Sequence, residues 1–295
     1  MTTQHCNNTE ELRTHLKTVM ESWPLYREFI YTGAVVAKQV PRFLEIWCDN
    51  CSLTTVWEAK FYEGESNNDG FNTKSYTCRN CGNREARYYF RWHVGAASGS
   101  VFVKVGQYPP LEERVGESLK RMLDADDLKM YRNALKMRNF NMGIAAVAYL
   151  RRVVENRMND MLDVLHETAV LHHADKQVLD RLKEAKAERR FATKADYAGD
   201  LLPSNLRPPG KPNPMAILHD LASAGLHGDS DEECVEVFDA CRTTFEHVFS
   251  KMRIELDEAR DYVKSMEKLV QKKAAKATQD AIPAAPSGVP PDSAS

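Results

Sequence analysis

The chain has 295 residues, of which 43% are hydrophobic and 28% are charged, and its formal net charge is -2. This composition is typical of a folded globular protein and excludes a disordered or fibrous chain. The small net charge excludes a uniformly basic surface, so nucleic-acid binding would need a local patch. The longest apolar runs are too short for a membrane span, and the N-terminus, MTTQHCNNTEELRTHLK, lacks the apolar core of a signal peptide. We therefore expect a cytoplasmic protein that does not enter a membrane.

The predicted elements divide the chain into four segments. An N-terminal helical segment covers 1–40, with a helix at 9–21. Strand-like stretches over 41–110 surround two cysteine pairs. Helical periodicity covers 111–275, and the proline-rich remainder, 276–295, predicts a disordered tail. The expected fold class is α+β and mainly α, with a small antiparallel β domain followed by a helical bundle that ends in a long helix.

The seven cysteines include two Cys-x-x-Cys pairs, CDNC and CRNC, separated by 26 residues. An odd number of cysteines with this pairing favours metal binding over a disulfide framework. Four thiolates suit the tetrahedral coordination of zinc, and Gly82 after the second pair suits a tight turn. We therefore predict a zinc ribbon over 41–110. Its structural zinc, with no open position for a catalytic water, is held by Cys48, Cys51, Cys78 and Cys81.

The strand after the second pair, ARYYFRWHV, separates its side chains onto two faces. The face predicted to lie in the core carries Ala86, Tyr88, Phe90, Trp92 and Val94. The opposite face is basic and aromatic, suited to stacking bases and contacting phosphates, and carries Arg87, Tyr89, Arg91 and His93. Two simpler alternatives are that the arginines only solvate the sheet, or that they pair with the acidic arm at 42–69.

Helical patterns follow from residue 111 onward. They are predicted at 111–138, from near Asn141 through Leu165, over 174–198, from an N-cap at Asn213, and from a capping box formed by Ser230 and Glu233. The last helix keeps an apolar stripe for about forty residues, longer than a typical globular helix. Its second half is expected to extend from the body or to pair with a partner helix.

Arg151 and Glu155 interrupt the apolar stripe of the helix that begins near Asn141. They are four residues apart and can meet, and Arg151 is predicted to lie on the buried face. The loop LHGDSDE, with His227 and Asp229, is a candidate partner. A structural buried pair, with His227 capping a helix end, is the alternative to any chemistry there.

Three segments carry a resemblance: AVAYLRRVVENRM, LASAGLHGDSDEECVEVF and VGQYPP at 105–110. They resemble a group of bacterial and phage proteins in which a zinc ribbon precedes a helical domain similar to the HEPN superfamily (higher eukaryote and prokaryote nucleotide-binding). The resemblance covers roughly residues 40–250. It implies a HEPN-like bundle over 111–275 and a regulatory or defence role. Because many HEPN domains dimerise, it also implies a homodimer through the helical domain.

Many HEPN domains are metal-independent ribonucleases with an arginine followed by a histidine after four to six residues. His227 matches the histidine, but the positions where the arginine is required hold Asp220, Leu221 and Ala222. Arg151 could supply the cation from another helix, so the candidate catalytic residues of a ribonuclease are Arg151, Glu155 and His227. The missing arginine favours instead a non-enzymatic protein that binds RNA, DNA or a protein partner. A homo-oligomeric assembly protein is a third alternative.

Overall fold

The computed structural model describes residues 2–6, 8–33, 40–60, 70–95, 99–111, 115–202, 204–207, 210, 213–224 and 230–280. The strands and the first helix are β1 (Thr2–Cys6), α1 (Thr9–Ser22), β2 (Glu28–Gly33), β3 (Phe43–Cys48), β4 (Leu53–Ala59), β5 (Gly70–Cys78), β6 (Glu85–Gly95) and β7 (Gly99–Tyr108). The helices that follow are α2 (Glu117–Lys120), α3 (Ala125–Asn139), α4 (Gly143–Leu171), α5 (Lys176–Ala187), α6 (Phe191–Leu201), α7 (Pro214–Ala224) and α8 (Asp231–Asp280).

All seven described strands belong to one sheet, in the order β1-β2-β7-β6-β5-β4-β3. β1 and β2 are parallel and are joined by α1, whereas every other neighbouring pair is antiparallel. β3 to β7 form a meander whose last strand, β7, lies against β2. The sheet therefore has two edges, β1 and β3.

The expected fold class, with a small N-terminal ribbon, is wrong: the strands form a large, curled, mixed sheet. The difference arises in the segment at 1–40, which contributes β1 and β2 in addition to the predicted helix. β2 pairs Phe29 with Phe102 of β7 and so continues the ladder that the ribbon strands begin. The two hairpins that carry the paired cysteines are therefore one half of a larger sheet.

Helix α1 covers one face of the sheet and has a different core under each of its ends. Asn8 caps its N-terminus by accepting from the amides of Glu10 and Glu11. One cluster joins buried residues of α1 to aromatic rings of three strands: Leu12, Leu16, Val19, Phe29, Tyr31, Phe90, Trp92 and Phe102. The other joins Met20, near the end of α1, to the four strands β3 to β6: Leu44, Trp57, Tyr76 and Tyr88.

The helical part is organised around α4 and α8, which run in the same direction. Ile144 N donates to Asp231 Oδ1 at one end, and Glu167 pairs with Arg260 at 2.6 Å near the other. Because α4 ends at Leu171, the last turns of α8 extend beyond it. The predicted disordered tail begins within this helix, since 276–280 are helical, and the rest of the tail lies outside the described residues.

Several helix boundaries agree with the capping signals. Asn213 Oδ1 accepts from Met215 N at 2.9 Å, and Ser230 and Glu233 form the reciprocal bonds of a capping box. The single helix predicted over 174–198 is instead α5 and α6, with a break at 188–190. Within the described ranges, no helix is both long and apolar enough to cross a membrane.

Two arginines join the sheet to the helices. Arg138 of α3 donates to Ser22 O at 2.6 Å and pairs with Asp239 of α8 at 2.6 Å. Arg27, which is buried, lies over the Trp23 ring and pairs with Glu236 of α8 at 3.0 Å. The end of α1 and the start of β2 are thereby attached to the helical part.

Candidate metal centre and the adjoining sheet face

The four predicted ligands come from two turns of the same construction. Cys48 ends β3, and Cys51 N donates to its carbonyl in the turn to β4. Cys78 ends β5, and Cys81 follows in the turn to β6. The fourth residue after the first cysteine has positive φ in both turns, at Ser52 (54°) and Gly82 (68°). Glycine adopts this conformation without strain, which agrees with the prediction made for Gly82.

The four sulfur atoms fit one tetrahedral metal ion. All lie within 4.8 Å of one another. A zinc–sulfur bond of about 2.3 Å in a tetrahedron requires sulfurs about 3.8 Å apart. The Sγ atoms of Cys48 and Cys81 are 3.8 Å apart, and those of Cys51 and Cys78 are 3.9 Å apart. These separations are too long for disulfides, and all four cysteines are free thiols that could hold a metal ion.

Neighbouring groups already favour the thiolate at part of this cluster. Burial disfavours ionisation of Cys78, but the Thr55 hydroxyl, 3.2 Å from its sulfur, and the amides of Cys81 and Asn80 outweigh it and lower its pKa to about 6. Burial instead raises the pKa of Cys48 to about 12. A bound cation stabilises every coordinated thiolate. It would therefore lower the pKa of Cys78 further and oppose the rise in the pKa of Cys48.

The side chains of β6 alternate as predicted. The buried set is Ala86, Tyr88, Phe90 and Trp92. The exposed set, on the face away from α1, is Arg87, Tyr89, Arg91 and His93. Neither arginine pairs with a residue of 42–60, the part of the acidic arm that the structure describes. Arg91 contacts Glu28 of β2 at 3.1 Å, and Arg87 contacts Glu85 of its own strand at 3.5 Å.

Three exposed aromatic rings cross this face on neighbouring strands. Phe71 of β5 is 79% exposed and stands opposite Arg91, and Tyr108 of β7 is 62% exposed and stands opposite Arg87. Tyr89 lies between them on β6, diagonal to both, with its ring against Gly106. Diagonal neighbours in a sheet are about 7–8 Å apart. We call Phe71, Tyr89 and Tyr108 the aromatic row.

Phe71 and Tyr108 were not among the predicted binding residues. Both lie on strand-like stretches, and their exposure on the face of Tyr89 depends on the register of three strands. A sequence pattern gives the alternation within a strand but not the register between strands. The local signal at Phe71 is the preceding stretch GESNNDG at 64–70, whose composition predicts a loop.

The candidate catalytic residues are not brought into one site by the described residues. Arg151 Nε donates to Glu155 Oε1 at 2.8 Å, so the predicted pair forms. Its side chains are about one-third exposed, at 32% and 34%, whereas Arg151 was expected on the buried face. His227 lies outside the described residues. Arg242, which precedes His247 at the spacing of the ribonuclease motif, pairs with Glu246 at 3.0 Å, and Glu246 also accepts from the Tyr131 hydroxyl.

Comparisons with protein-family models, with curated proteins and with solved structures found no match. The resemblance to ribbon-bearing HEPN-like proteins therefore stays a prediction.

Proposed function

We propose that this chain is a zinc-stabilised protein whose open sheet face binds single-stranded nucleic acid. Zinc is favoured over other metals because four thiolates in a tetrahedron are a typical structural zinc site. With every ligand supplied by cysteine, the ion would hold the β3–β4 and β5–β6 turns together and would do no chemistry.

The aromatic row is the observation that carries the proposal. Exposed aromatic rings on a sheet stack unpaired bases, and the spacing of about 7–8 Å suits successive nucleotides of an extended strand. Arg91 and Arg87 stand beside the row, where guanidinium groups can contact phosphates. Helix α1 covers the opposite face, so a strand of nucleic acid would approach this face only.

The carboxylates that pair with the two arginines should affect the affinity of this face for nucleic acid. Each of the two is matched by one glutamate, Glu28 or Glu85, so the face has little net charge. Base stacking would then supply more of the affinity than phosphate contacts. Without the Glu28 carboxylate, Arg91 would be available to contact a phosphate. This change should therefore increase the affinity for nucleic acid.

Fluorescence anisotropy with labelled single-stranded RNA and DNA, at two salt concentrations, tests this function. Tyr89→Ala should weaken binding roughly 5- to 150-fold, since stacking of one base contributes about 1–3 kcal/mol. Tyr149→Ala, which removes a partly exposed tyrosine from α4, is the matched control and should have no effect. Equal affinities of the Tyr89→Ala variant and the parent protein would contradict the proposal.

Three further variants test the contribution of charge in the same experiment: Arg91→Ala, Arg152→Ala and Glu28→Gln. Arg91→Ala should reduce the salt dependence by about one phosphate contact, whereas Arg152→Ala removes the same charge from the exposed side of α4 and should not. Glu28→Gln should tighten binding. A loss of affinity in Glu28→Gln would mean that the pair with Arg91 is only structural.

We also propose self-association through the end of α8, which would make the chain a homodimer. Apolar side chains continue beyond the end of α4 and are exposed: Tyr262, Met266, Leu269 and Val270. Acidic residues, Glu258 and Asp261, lie before this stretch, and basic residues, Lys268 and Lys272, lie within and after it. An antiparallel second copy would bring acidic and basic segments together, which is the pairing expected at an interhelical contact.

Light scattering after size-exclusion chromatography, over a range of protein concentrations, tests this assembly. Leu269→Gln should shift the dimer towards monomer, whereas Lys264→Gln, on the side of the helix opposite the apolar stripe, should not. A monomer at every concentration, or equal masses for both variants, would overturn the assembly without affecting the nucleic-acid proposal.

A further inference from the structure

Another aromatic ring on the open face of the sheet lies apart from the aromatic row, beside the cysteine-bearing turns. Phe43 begins β3 and is 36% exposed. Two guanidinium groups lie over its ring, with the Cζ of Arg42 at 5.1 Å and that of Arg79 at 5.8 Å from the ring centre. Arg42 precedes β3, and Arg79 lies in the turn between Cys78 and Cys81. We call Phe43, Arg42 and Arg79 the Phe43 cluster.

The register of four strands places the Phe43 cluster on the same face as the aromatic row. Phe43 stands opposite Glu58 of β4, which stands opposite Thr77 of β5. Thr77 in turn stands opposite Glu85 of β6, two residues before Arg87. Residues directly opposite each other in neighbouring strands share a face, and so do alternate residues of one strand. A ligand on the open face can therefore contact both the Phe43 cluster and the aromatic row.

The Phe43 cluster holds two cations for one carboxylate. Arg42 donates to Glu58 Oε1 from Nε at 3.1 Å and from Nη2 at 2.8 Å. Arg79 Nε is 3.6 Å from Glu58 Oε2, beyond hydrogen-bonding distance. The next carboxylate along β3, that of Glu45, pairs with Lys17 of α1 at 2.6 Å. Both arginine side chains are more than half exposed, so their N–H groups can reach a ligand in solvent.

The excess of cations continues from the Phe43 cluster towards β6. Glu85 is shared by Arg87 of its own strand at 3.5 Å and by Lys60, which follows β4, at 3.7 Å. Within the described part of the face, the row from Phe43 to Glu85 and its ion-pair partners thus have two cations for each carboxylate. Arg91, by contrast, is matched by a glutamate of its own. A phosphate backbone would therefore be attracted most strongly to the part of the face next to the cysteines.

The Phe43 cluster lies within reach of a strand that is bound to the aromatic row. β3 and β6 are three strand spacings apart, about 14 Å, and Phe43 and Tyr89 differ by four residues, about 13 Å, along the strand direction. Measured along the sheet, the two rings are therefore about 20 Å apart, a distance that about three nucleotides cover at 7–8 Å each. Arg87 lies on the path between them.

We propose that the single strand that stacks on the aromatic row also binds at the Phe43 cluster, so that the full site takes about six nucleotides. Arg42 and Arg79 would contact phosphates, and the Phe43 ring with its guanidinium groups would stack a base. This inference rests on the function proposed above and adds a length requirement to it. Because Arg79 lies between two of the clustered cysteines, a bound metal would also hold this end of the site in place.

Fluorescence anisotropy with labelled single-stranded trimers and hexamers tests the length requirement. The hexamer should bind the parent protein at least tenfold more tightly than the trimer, because it gains phosphate contacts and a stacked base. Arg79→Ala should remove most of this gain and leave trimer binding, metal content and melting temperature unchanged. Arg13→Ala is the matched control, since it removes a half-exposed arginine that is 3.7 Å from Glu10 on α1, and it should keep the full gain.

Two further measurements separate binding from folding. Glu58→Gln removes the carboxylate that the two arginines share and should tighten hexamer binding several-fold, a gain that a misfolded variant could not give. Chelation of the metal should reduce the affinity for the hexamer to that for the trimer, because the aromatic row on β5 to β7 would remain. An equal gain with length in Arg79→Ala and the parent, or unchanged binding in Glu58→Gln, would overturn the assignment of the Phe43 cluster.

The same titrations distinguish this inference from the proposed function. Tyr89→Ala should weaken the trimer and the hexamer alike. If Tyr89→Ala has no effect but Arg79→Ala does, the aromatic row is wrong and the Phe43 cluster stands. The reverse result would remove the cluster alone, and no binding of either oligomer would remove both. Displacement of the hexamer by a hexaglutamate peptide, as readily as by unlabelled hexamer, would show a site for any polyanion and would also contradict the proposal.

Discussion

In the half of the sheet formed by β1, β2 and β7, α1 packs three aliphatic side chains against aromatic rings, and no cysteine cluster is needed. Among the described residues, the second core, in the half formed by β3, β4 and β5, has nine buried members like the first, but they include two alanines and the candidate ligands Cys48 and Cys78. The same helix spans both halves. Where fewer large apolar side chains are available, a metal site can supply the missing stability, as in other small β units.

Metal removal should have the largest effect and should be confined to one half. Structural zinc supplies roughly 10–16 kcal/mol in small zinc domains. Chelation, or Cys48→Ser with Cys81→Ser, should therefore abolish hydrogen-exchange protection in β3, β4 and the turn at Cys78. Protection in α1 and β2 should persist. Hydrogen-exchange mass spectrometry with metal analysis measures both.

The matched control for this experiment is Cys6→Ser, which removes a buried cysteine from the half without metal ligands. It should leave the metal content unchanged. Loss of protection across the whole sheet on chelation would show that the two halves do not unfold separately.

Core truncations in the two halves should differ in their dependence on metal. Leu16→Ala and Leu44→Ala each remove a fully buried side chain and should cost about 2–5 kcal/mol in the loaded protein. After chelation, the loss of unfolding free energy caused by Leu16→Ala should stay the same. The loss caused by Leu44→Ala should become smaller, because the residues around Leu44 are then already disordered. Denaturant unfolding of the two variants, with and without metal, gives the four free energies. An equal effect of Leu44→Ala with and without metal would contradict the difference between the two halves.

Lys104 stands where the two halves meet, and its effect should depend on pH. Its ammonium is buried and donates to Val19 O and Met20 O, one residue from each core. Burial, and next the charge of Arg138, lower its pKa from 10.5 to about 7. Between these values the unfolded chain holds the proton that the folded chain has lost, so stability should rise with pH, by at most about 1.4 kcal/mol per unit.

Lys104→Met removes this titration. The difference in unfolding free energy between the parent and the variant, measured from pH 6 to pH 10 with saturating zinc, should therefore grow in favour of the parent as pH rises. A difference that is constant with pH would show that Lys104 keeps its proton in the folded protein.

The smallest effect on stability is expected on the open face. Arg91→Ala breaks an exposed ion pair with Glu28 and should cost only about 0.2–1 kcal/mol. The same substitution should change the salt dependence of nucleic-acid binding. A cost well above this range in thermal unfolding would make Arg91 part of the structure and not of a binding surface.

The local features of both halves were predictable from sequence, but their assembly was not. The Cys-x-x-Cys spacing, the alternation along β6 and the capping box at Ser230 depend on residues within a few positions of each other. β1 is short and polar, TTQHC. It joins the sheet by parallel pairing with β2, from which α1 separates it in the sequence. The run EFIYTG had strand character, but its partner β7 lies about seventy residues away, and such pairing leaves no local pattern.

The same limit applies to the candidate sites. The four cysteines that could hold a metal ion were predicted because their spacing is itself the signal. The aromatic row depends on register: Tyr108 reaches the row through its place opposite Arg87. This juxtaposition does not follow from periodicity.

The edge strand β3 has a further consequence for how copies of this protein meet in a crowded solution. An open edge offers unpaired amides to any other strand and so invites sheet-to-sheet aggregation. Here Glu45 N donates to Glu21 Oε1 at 2.5 Å, so a side chain from α1 occupies one of the amides that an incoming strand would need. Helix α1 thus protects this edge from pairing with a strand of another molecule. Loss of the hydrogen bond between Glu45 N and Glu21 should therefore make the protein aggregate more readily.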